Sequence, residues 1–278
     1  MTYKMVCIDM DGTLLGKRRR ISKEDKKVIK EIHNKGVEIV VTTGRIYNNA
    51  AYYSHILGVK SPVIAANGAI VRNKDDNKII YENPINTKDC IKLIELLYKM
   101  KMFFHFYTLD GIYCSDNLTK VATKIYMTKQ IGYENLKINY FVINDLKKWE
   151  EIFEKNKGKI TKCIAFSIYP KKIQKVKEML NGFSNIVYYG AGSRSIEINN
   201  RGVSKGNAVK ALSDYYGFKR EEIVCIGDNE NDISMIEYAG VGVAMGNAID
   251  PLKKLADYIT DTNKKNGVSK AIKRFFKI

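Results

Sequence analysis

The sequence has no long hydrophobic run. No segment approaches about 18 uninterrupted apolar residues, and Asp9 interrupts the N-terminus before the apolar core of a signal peptide could form. We therefore expect a cytoplasmic protein with no membrane partner. Cysteine is also sparse, with five residues and no Cys-x-x-Cys pair. Neither a disulfide framework nor a zinc site is predicted, and the cysteines are expected to be small buried hydrophobic residues.

Motifs of several other protein classes are also missing. No Gly-Lys-Ser/Thr completes a P-loop, and the segment GAGSRS is not a dinucleotide fingerprint. The segment DNENDISMIEYA begins like an EF-hand, but Ile233 stands where Gly is needed and Ala239 where the bidentate Glu belongs. His33, His55 and His105 lie in no recognisable nucleophile context, which argues against serine or cysteine triads.

Positive charge, by contrast, is abundant. The chain has 47 Lys and Arg against 30 Asp and Glu, a formal net charge of +17. Such an excess can attract nucleic acids or anionic membranes. Because lysine is spread along the whole chain beside many Ile, Asn and Tyr, we attribute the charge to base composition and expect no nucleic-acid partner. The densest cluster, GKRRR at residues 16–20, is interpreted as a solvated loop.

The apolar pattern divides the 278 residues into two styles. Near both ends, short apolar runs alternate with helical patterns, which is typical of a parallel sheet with crossover helices. In the middle, alternating aromatic strands are joined as hairpins, best seen in FFHFYTLDGIYCS around Asp110-Gly111. The pattern predicts an α/β domain from residues 1–83 and 189–278, and an inserted α+β domain from residues 84–188.

Two helices of the α/β domain have clear boundary signals. Ser22 and Asp25 form a capping-box pattern, and Gly36 is placed to end the helix that follows. A second helix is predicted over Lys205 to Tyr216, closed by Gly217.

The apolar run KMVCID ends in two carboxylates, Asp9 and Asp11. They are two residues apart, so in an extended segment both side chains point the same way. Like charges that close are unfavourable unless a cation or a shared proton compensates. Mg²⁺ fits well, because it is typically held by one or two carboxylates, waters and the substrate's phosphate. Gly12 would let the chain turn sharply beneath such a site.

More polar side chains are predicted at the carboxyl ends of neighbouring strands, where open parallel sheets bind ligands. Thr43 precedes Gly44 after the second strand, Asp228 and Asp232 follow the strand EIVCIG, and Lys205 opens the preceding helix. Taken singly, these residues have simpler interpretations: Thr43 as a turn hydroxyl, Lys205 as a solvated lysine and Asp232 as a helix cap. Together they indicate a site with carboxylates, a hydroxyl and an ammonium group.

These motifs resemble those of the haloacid dehalogenase (HAD) superfamily, specifically its Cof-like phosphatases. DMDGT matches the first motif, TTGR the second, SKG the third and GDNENDISM the fourth. NGA at residues 67–69 and EINNRGVSKG at residues 197–206 are similar to the same subfamily. The resemblance implies an α/β fold: a Rossmann-like parallel-sheet HAD core with an inserted, mobile α+β cap that determines substrate specificity.

The resemblance also implies residue roles. Asp9 would be the nucleophile that forms an aspartyl-phosphate, and Asp11 would protonate the leaving oxygen and later deprotonate water. Thr43 and Lys205 would bind the phosphoryl oxygens. Mg²⁺ would be held by Asp9, Asp11 through its backbone carbonyl, Asp228 and Asp232, the last of which would orient Lys205 or a metal-bound water. Further phosphate or substrate contacts would come from Gly44, Arg45, Asn67 and Asn231.

The expected activity is Mg²⁺-dependent hydrolysis of small phosphate monoesters. A cap of about a hundred residues would exclude polymers, so the expected partner is a small phosphorylated metabolite, with sugar phosphates first and pyridoxal phosphate or flavin mononucleotide open. Two alternatives remain: a phosphomutase that needs a bisphosphate activator, and a non-catalytic phosphometabolite-binding protein. The aromatic residues of FFHFYT either line the underside of the cap or pack its own sheet, and we favour packing.

Overall fold

The structure is a computed structural model that describes residues 3–16, 19–109, 111–131, 138–190 and 192–278. The chain divides into two compact units. The first comprises Met1–Glu82 together with Ser204–Ile278, and the second is Asn83–Val203. The second boundary lies later in the chain than the expected change at residue 189, because strands at residues 186–190 and 195–200 pair within the second unit.

Helices alternate with strands through most of the first unit, whereas paired strands recur in the second. The elements in chain order are β1 (Met5–Asp9), α1 (Lys23–Asn34), β2 (Glu38–Thr42), α2 (Tyr47–Leu57), β3 (Val63–Ala65), β4 (Ile70–Arg72), β5 (Ile79–Glu82), α3 (Thr87–Lys99), β6 (Phe103–Tyr107), β7 (Gly111–Cys114), α4 (Asn117–Ile131), β8 (Asn139–Val142), α5 (Leu146–Lys155), β9 (Lys162–Phe166), α6 (Pro170–Leu180), β10 (Ile186–Gly190), β11 (Ser195–Asn200), α7 (Lys205–Tyr216), β12 (Ile223–Gly227), α8 (Ile233–Tyr238), β13 (Val241–Ala244), α9 (Asp250–Leu255), β14 (Tyr258–Ile259) and α10 (Gly267–Phe276).

The sheet of the first unit has the order β14-β13-β12-β1-β2-β3-β4-β5. The pairs from β14 to β3 are parallel, which confirms the predicted α/β class. Strand β1 lies between β2 and β12, so the winding of the chain reverses at β1. Crevices at such reversals, beyond the carboxyl ends of the strands, are where ligands bind.

Local signals in the sequence account for the ends of α1 and α7. Ser22 Oγ accepts a hydrogen bond from the backbone N–H of Asp25 at 2.9 Å, as the capping-box pattern predicts. Ser204 caps α7 in the same way, and Gly217 closes that helix in a left-handed conformation.

The antiparallel hairpin β4–β5 at the sheet edge is not predicted by the sequence pattern. Each strand has only three or four residues, and a polar segment separates them. Such short strands do not show a clear apolar period, so the sequence pattern predicts no strand between the turn after β3 and the second unit.

The second unit contains a sheet of order β10-β11-β9-β6-β7-β8, antiparallel apart from the pair β7·β8. As predicted, β6 and β7 pair antiparallel; Asp110, on which the hairpin prediction centred, lies outside the described residues. Phe104 and Phe106 pack into a hydrophobic core with Trp149 and Phe153. The core thus uses alternate residues of β6, and the other residues lie on the opposite face of the sheet.

Two further predictions can be compared with the structure, and a third cannot. All five cysteines are buried free thiols. None of the described helices is long and apolar enough to cross a membrane. Residues 17 and 18 of the GKRRR cluster lie outside the described part of the chain, so the solvated-loop prediction stays untested.

Candidate active site

Asp9 and Asp11 mark the carboxyl end of β1 but have different partners. Asp9 is the last residue of the strand and is only 5% exposed. Its carboxylate Oδ1 accepts a hydrogen bond from the Lys205 ammonium at 2.6 Å. The Asp11 side chain is 48% exposed and pairs with Arg45. The two carboxylates therefore do not share one counter-charge.

A carboxylate cluster forms where β1 and β12 end. Single oxygens of Asp9, Asp228 and Asp232 lie within 4.8 Å of one another. The fully buried Lys205 extends from the first turn of α7 into this cluster and donates to Asp232 Oδ1 at 2.5 Å as well as to Asp9. Parallel pairing of β1 with β12 is what brings residues more than 200 positions apart together.

The charges of the cluster do not balance. Three carboxylates against one ammonium group leave an excess of two negative charges if all are ionised. Burial, followed by the charge of Asp232, raises the pKa of Asp9 well above its ordinary range and that of Asp228 to about 6. Desolvation lowers the Lys205 pKa, but Asp232 and Asp9 outweigh it and raise that pKa, so the ammonium stays charged.

Asp232 is held by three hydrogen bonds. Its Oδ2 accepts from the backbone N–H groups of Asp228 at 2.9 Å and Asn229 at 3.0 Å, and its Oδ1 accepts from Lys205. The carboxylate does not cap α8 through its side chain. Its bonds close the turn after β12 and orient the lysine, one of the two roles predicted for it.

The turn after β1 needs glycine at position 12. Gly12 has φ +88°, and a Cβ there would lie 2.2 Å from Asp228 Oδ2. The next residue, Thr13, donates its hydroxyl to Asp228 Oδ1 at 2.8 Å. No role was predicted for Thr13 from the sequence. Its position in the DMDGT motif was the signal that could have indicated one.

The loop after β2 carries Thr43, Gly44 and Arg45. Thr43 is buried, and its Oγ1 accepts a hydrogen bond from the Arg45 backbone N–H at 3.1 Å. Gly44 is half-buried. The Arg45 guanidinium donates Nε to Asp11 Oδ2 at 2.6 Å, Nη2 to Asp11 Oδ1 and Nη1 to Asn49 Oδ1 at 2.8 Å. This bidentate geometry fixes the position of the Asp11 carboxylate.

Arg45 keeps its charge despite being buried. Desolvation lowers its pKa, but the hydrogen bonds and charge of Asp11 outweigh that effect and raise the pKa above its ordinary value. Asn49, in the first turn of α2, is a second residue of the site that could not be predicted, because an Asn in a helix has no distinguishing pattern.

Asn67 and Asn231, two predicted substrate contacts, meet directly. Asn231 Nδ2 donates to Asn67 Oδ1 at 3.0 Å. Asn67 is fully buried with φ +63°, in the 3₁₀ turn that follows β3. The next residue, Gly68, has φ +97°, and a Cβ there would collide with the backbone oxygen of Ser204 at 2.2 Å. The turn is therefore packed closely against the start of α7.

Comparison with known proteins identifies the family to which this chain belongs. A sequence model of the haloacid dehalogenase-like hydrolases matches residues 6–272. The chain belongs to the haloacid dehalogenase-like hydrolases. It is 27% identical to the phosphatase YwpJ of Bacillus subtilis over 97% of this chain and 99% of that protein. It is 31% identical to the Bacillus subtilis 5-amino-6-(5-phospho-D-ribitylamino)uracil phosphatase YcsE, over 98% of this chain and 95% of that protein.

A solved haloacid dehalogenase-like hydrolase from Bacteroides thetaiotaomicron has the same fold. It superposes with a TM-score of 0.84 and 28% identity, covering 99% of this chain and 100% of that one. The resemblance drawn from the four motifs is thus confirmed, and with it the fold class. Its phosphatase relatives make this haloacid dehalogenase-like hydrolase a phosphatase enzyme.

The donor set of this hydrolase fits a divalent cation. Asp9 and Asp228 present carboxylate oxygens beside each other, and oxygen is the ligand that Mg²⁺ prefers. Burial, followed by the charge of Asp232, raises the pKa values of both groups, and a cation bound between them would favour their ionised forms. Asp232 already uses both of its oxygens within the protein. The Asp11 carboxylate lies outside the cluster, which leaves only its backbone carbonyl for the predicted metal role.

Proposed function

We propose that this phosphatase hydrolyses small phosphate monoesters in a Mg²⁺-dependent reaction through an aspartyl-phosphate on Asp9. The observation that carries the proposal is the buried Lys205 ammonium bonded to Asp9 and Asp232, with Asp228 in the same cluster. A nucleophilic carboxylate, a fixed cation and a set of oxygen donors are what transfer of a phosphoryl group requires.

In the first step, a carboxylate oxygen of Asp9 forms a bond to phosphorus as the ester P–O bond breaks. Asp11 gives a proton to the departing oxygen, so the alcohol leaves neutral. In the second step, water attacks phosphorus, Asp11 takes a proton from that water, and the bond from phosphorus to Asp9 breaks. Inorganic phosphate and the free carboxylate of Asp9 result.

The charge that develops on the phosphoryl oxygens must be neutralised during both steps. Lys205 supplies a fixed positive charge, and Thr43, Gly44 and Asn231 would supply hydrogen-bond donors. Asp9, Asp228 and the backbone carbonyl of Asp11 would hold Mg²⁺, with Asp232 orienting Lys205. Bound there, the metal would supply further positive charge at the phosphoryl group. Arg45 would position Asp11, and Asn67 would position Asn231, at the distances given above.

The family and one relative support a proposal for the substrate class. The relative YcsE is named for a phosphate ester of a ribityl chain attached to a pyrimidine ring. We propose a small phosphorylated metabolite for this chain, with sugar phosphates and phosphorylated sugar alcohols as the first candidates. A cytoplasmic location fits such substrates.

The test is phosphate release from a panel of monoesters. The panel contains glucose 6-phosphate, 5-amino-6-(5-phospho-D-ribitylamino)uracil, pyridoxal 5′-phosphate and flavin mononucleotide, each with Mg²⁺ and with a chelator. Release from at least one ester that stops on chelation supports the proposal. Release from none overturns it; transfer that depends on an added bisphosphate would indicate a phosphomutase instead.

A further inference from the structure

The second unit contains a cavity of about 550 Å³ on one face of its sheet. Its floor comprises residues of β6, β9 and β11 that alternate with the residues of the hydrophobic core. Its wall is α4, through Leu118, Ala122 and Tyr126. The volume falls in the range of small-molecule binding sites. All of its lining residues belong to the second unit.

The floor of the cavity is aromatic. Phe103 and Phe166 are stacked, with ring centroids 5.6 Å apart and an interplanar angle of 27°. His105 stacks on Tyr107 at 5.1 Å and 22°, and also lies 6.1 Å from Phe166. None of the three aromatic rings of the floor, Phe103, His105 and Phe166, belongs to the hydrophobic core cluster. Adjacent aromatic rings that line an open cavity favour a ligand with an aromatic ring of its own.

The wall is apolar but exposed to solvent. Leu118 is 63% exposed and Tyr126 is 51% exposed, although both line the cavity. Contiguous apolar surface in contact with water is unfavourable, and it typically marks a ligand or partner site. A flat apolar ligand between this wall and the aromatic floor would cover both.

A few polar groups lie among the apolar ones. His105 is buried, its Nδ1 lies 2.9 Å from Thr123 Oγ1, and among the described residues its Nε2 has no hydrogen-bond partner. Glu197 lines the cavity and pairs with the buried Lys162 at 2.6 Å, and Arg194 lies exposed at the rim. A ligand with ring nitrogen and oxygen atoms matches this lining better than a purely hydrocarbon one.

We propose that this cavity binds a planar heteroaromatic ring, packed against Phe103 and Phe166 and covered by α4. Two sources could supply such a ring: the leaving group of a phosphate monoester that the enzyme hydrolyses, or a free ring compound. The first source rests on the proposed function, whereas the binding site itself does not.

A cavity-filling variant tests the binding site. Ala122→Trp places a large side chain in the cavity, and Val121→Trp places it at the adjacent exposed position of α4, which does not line the cavity. Riboflavin serves as the ring probe, its binding to the full-length protein followed by fluorescence anisotropy. We expect Ala122→Trp to weaken binding by about tenfold or more and Val121→Trp to leave it unchanged.

Failure of riboflavin to bind the wild type, or equal binding by both variants and the wild type, would overturn the site. If Ala122→Trp does not fold, Phe166→Leu replaces it. This variant retains apolar volume but removes the ring face, and it should weaken binding in the same direction.

Kinetics then distinguish the two sources. If the ring is the leaving group, Ala122→Trp lowers kcat/KM for flavin mononucleotide by about tenfold and leaves that for glycerol 3-phosphate nearly unchanged. Loss of riboflavin binding with unchanged kcat/KM for both esters assigns the site to a free ring compound. Absence of phosphate release from every ester would contradict the proposed function. The riboflavin measurements would still show whether the cavity binds a ring compound.

Discussion

A single ammonium group, Lys205, faces three carboxylates at the candidate active site. It is fully buried and bonded to Asp9 and Asp232. Buried charges are tolerated only when paired, so each member of this cluster depends on the others. The same arrangement keeps Asp9 beside a fixed positive charge, which a carboxylate nucleophile needs when it approaches an anionic phosphate.

Replacing Lys205 should therefore affect both stability and turnover. We expect Lys205→Met to lower the free energy of unfolding by about 3–5 kcal/mol, because it leaves the carboxylates without their cation. The rate should fall by about 10²-fold or more. Urea unfolding and phosphate release measure the two effects. The matched control is Lys210→Met, on the exposed side of the same helix; equal effects of the two substitutions would contradict the account.

Thr13 bonds to a carboxylate of the proposed metal site, and this contact can be tested. Its hydroxyl bonds to Asp228 Oδ1, so Thr13→Val should let that carboxylate turn and weaken Mg²⁺ activation by about 10- to 100-fold. The concentration of Mg²⁺ that gives half-maximal phosphate release measures this. Thr13→Ser retains the hydroxyl and should stay close to the wild type. If Thr13→Val needs the same Mg²⁺ concentration as the wild type, Thr13 does not contribute to metal binding.

At the scale of the element, the turn after β1 combines left-handed backbone with close packing. Gly12→Ala adds a methyl group that collides with Asp228, whereas Gly36→Ala, at φ +90°, meets nothing within 4 Å. We expect both to cost about 1 kcal/mol through backbone strain, and Gly12→Ala alone to lower the rate, by about 10²-fold. Similar rates in the two variants would show that close approach at Gly12 is unimportant.

Elements with strong periodic or capping signals could be predicted from the sequence, and short or paired ones could not. The helix from Lys205 to Tyr216 is capped by the residues next to it, Ser204 and Gly217, and its predicted limits match the structure. Strand β5 has β4 as its only neighbour in the described sheet, and β4 lies between β3 and β5. The pairing of β11 with β9 places residues 195–200 in the second unit. Such partners are far apart in sequence or weakly patterned.

The same distinction applies within the site. That Asp9, Lys205 and Asp228 lie together could be predicted, because their motifs stand at strand ends or at the start of a helix in a recognisable order. The hydrogen bonds of Arg45 to Asp11 and Asn49 could not be predicted, because the pairing of side chains across a loop produces no periodic pattern in the sequence.

At the scale of the whole molecule, His105 makes stability depend on pH. Desolvation, followed by the charge of Lys162, lowers the pKa of His105 to about 3. An unfolded histidine titrates near 6.5, so the unfolded state binds more protons below that pH. The stabilising contribution is thus fully present above about pH 6.5 and is lost as the pH falls towards 3.

We expect the wild type to lose about 2 kcal/mol more than a His105→Gln variant between pH 7 and pH 5. Trp149, the single tryptophan, lies in the core of the second unit, so its fluorescence during urea unfolding reports on the unit that contains His105. Parallel pH profiles in the two proteins would show that His105 is not held neutral by burial.

The most direct test of the central claim is phosphate release from the most active monoester of the panel, by the wild type and by Asp9→Asn, each with Mg²⁺ and with a chelator. The amide is nearly isosteric but a poor nucleophile, so the account predicts release only from the wild type with Mg²⁺, while both proteins show the same circular dichroism spectrum. Phosphate release by Asp9→Asn at the wild-type rate would contradict it.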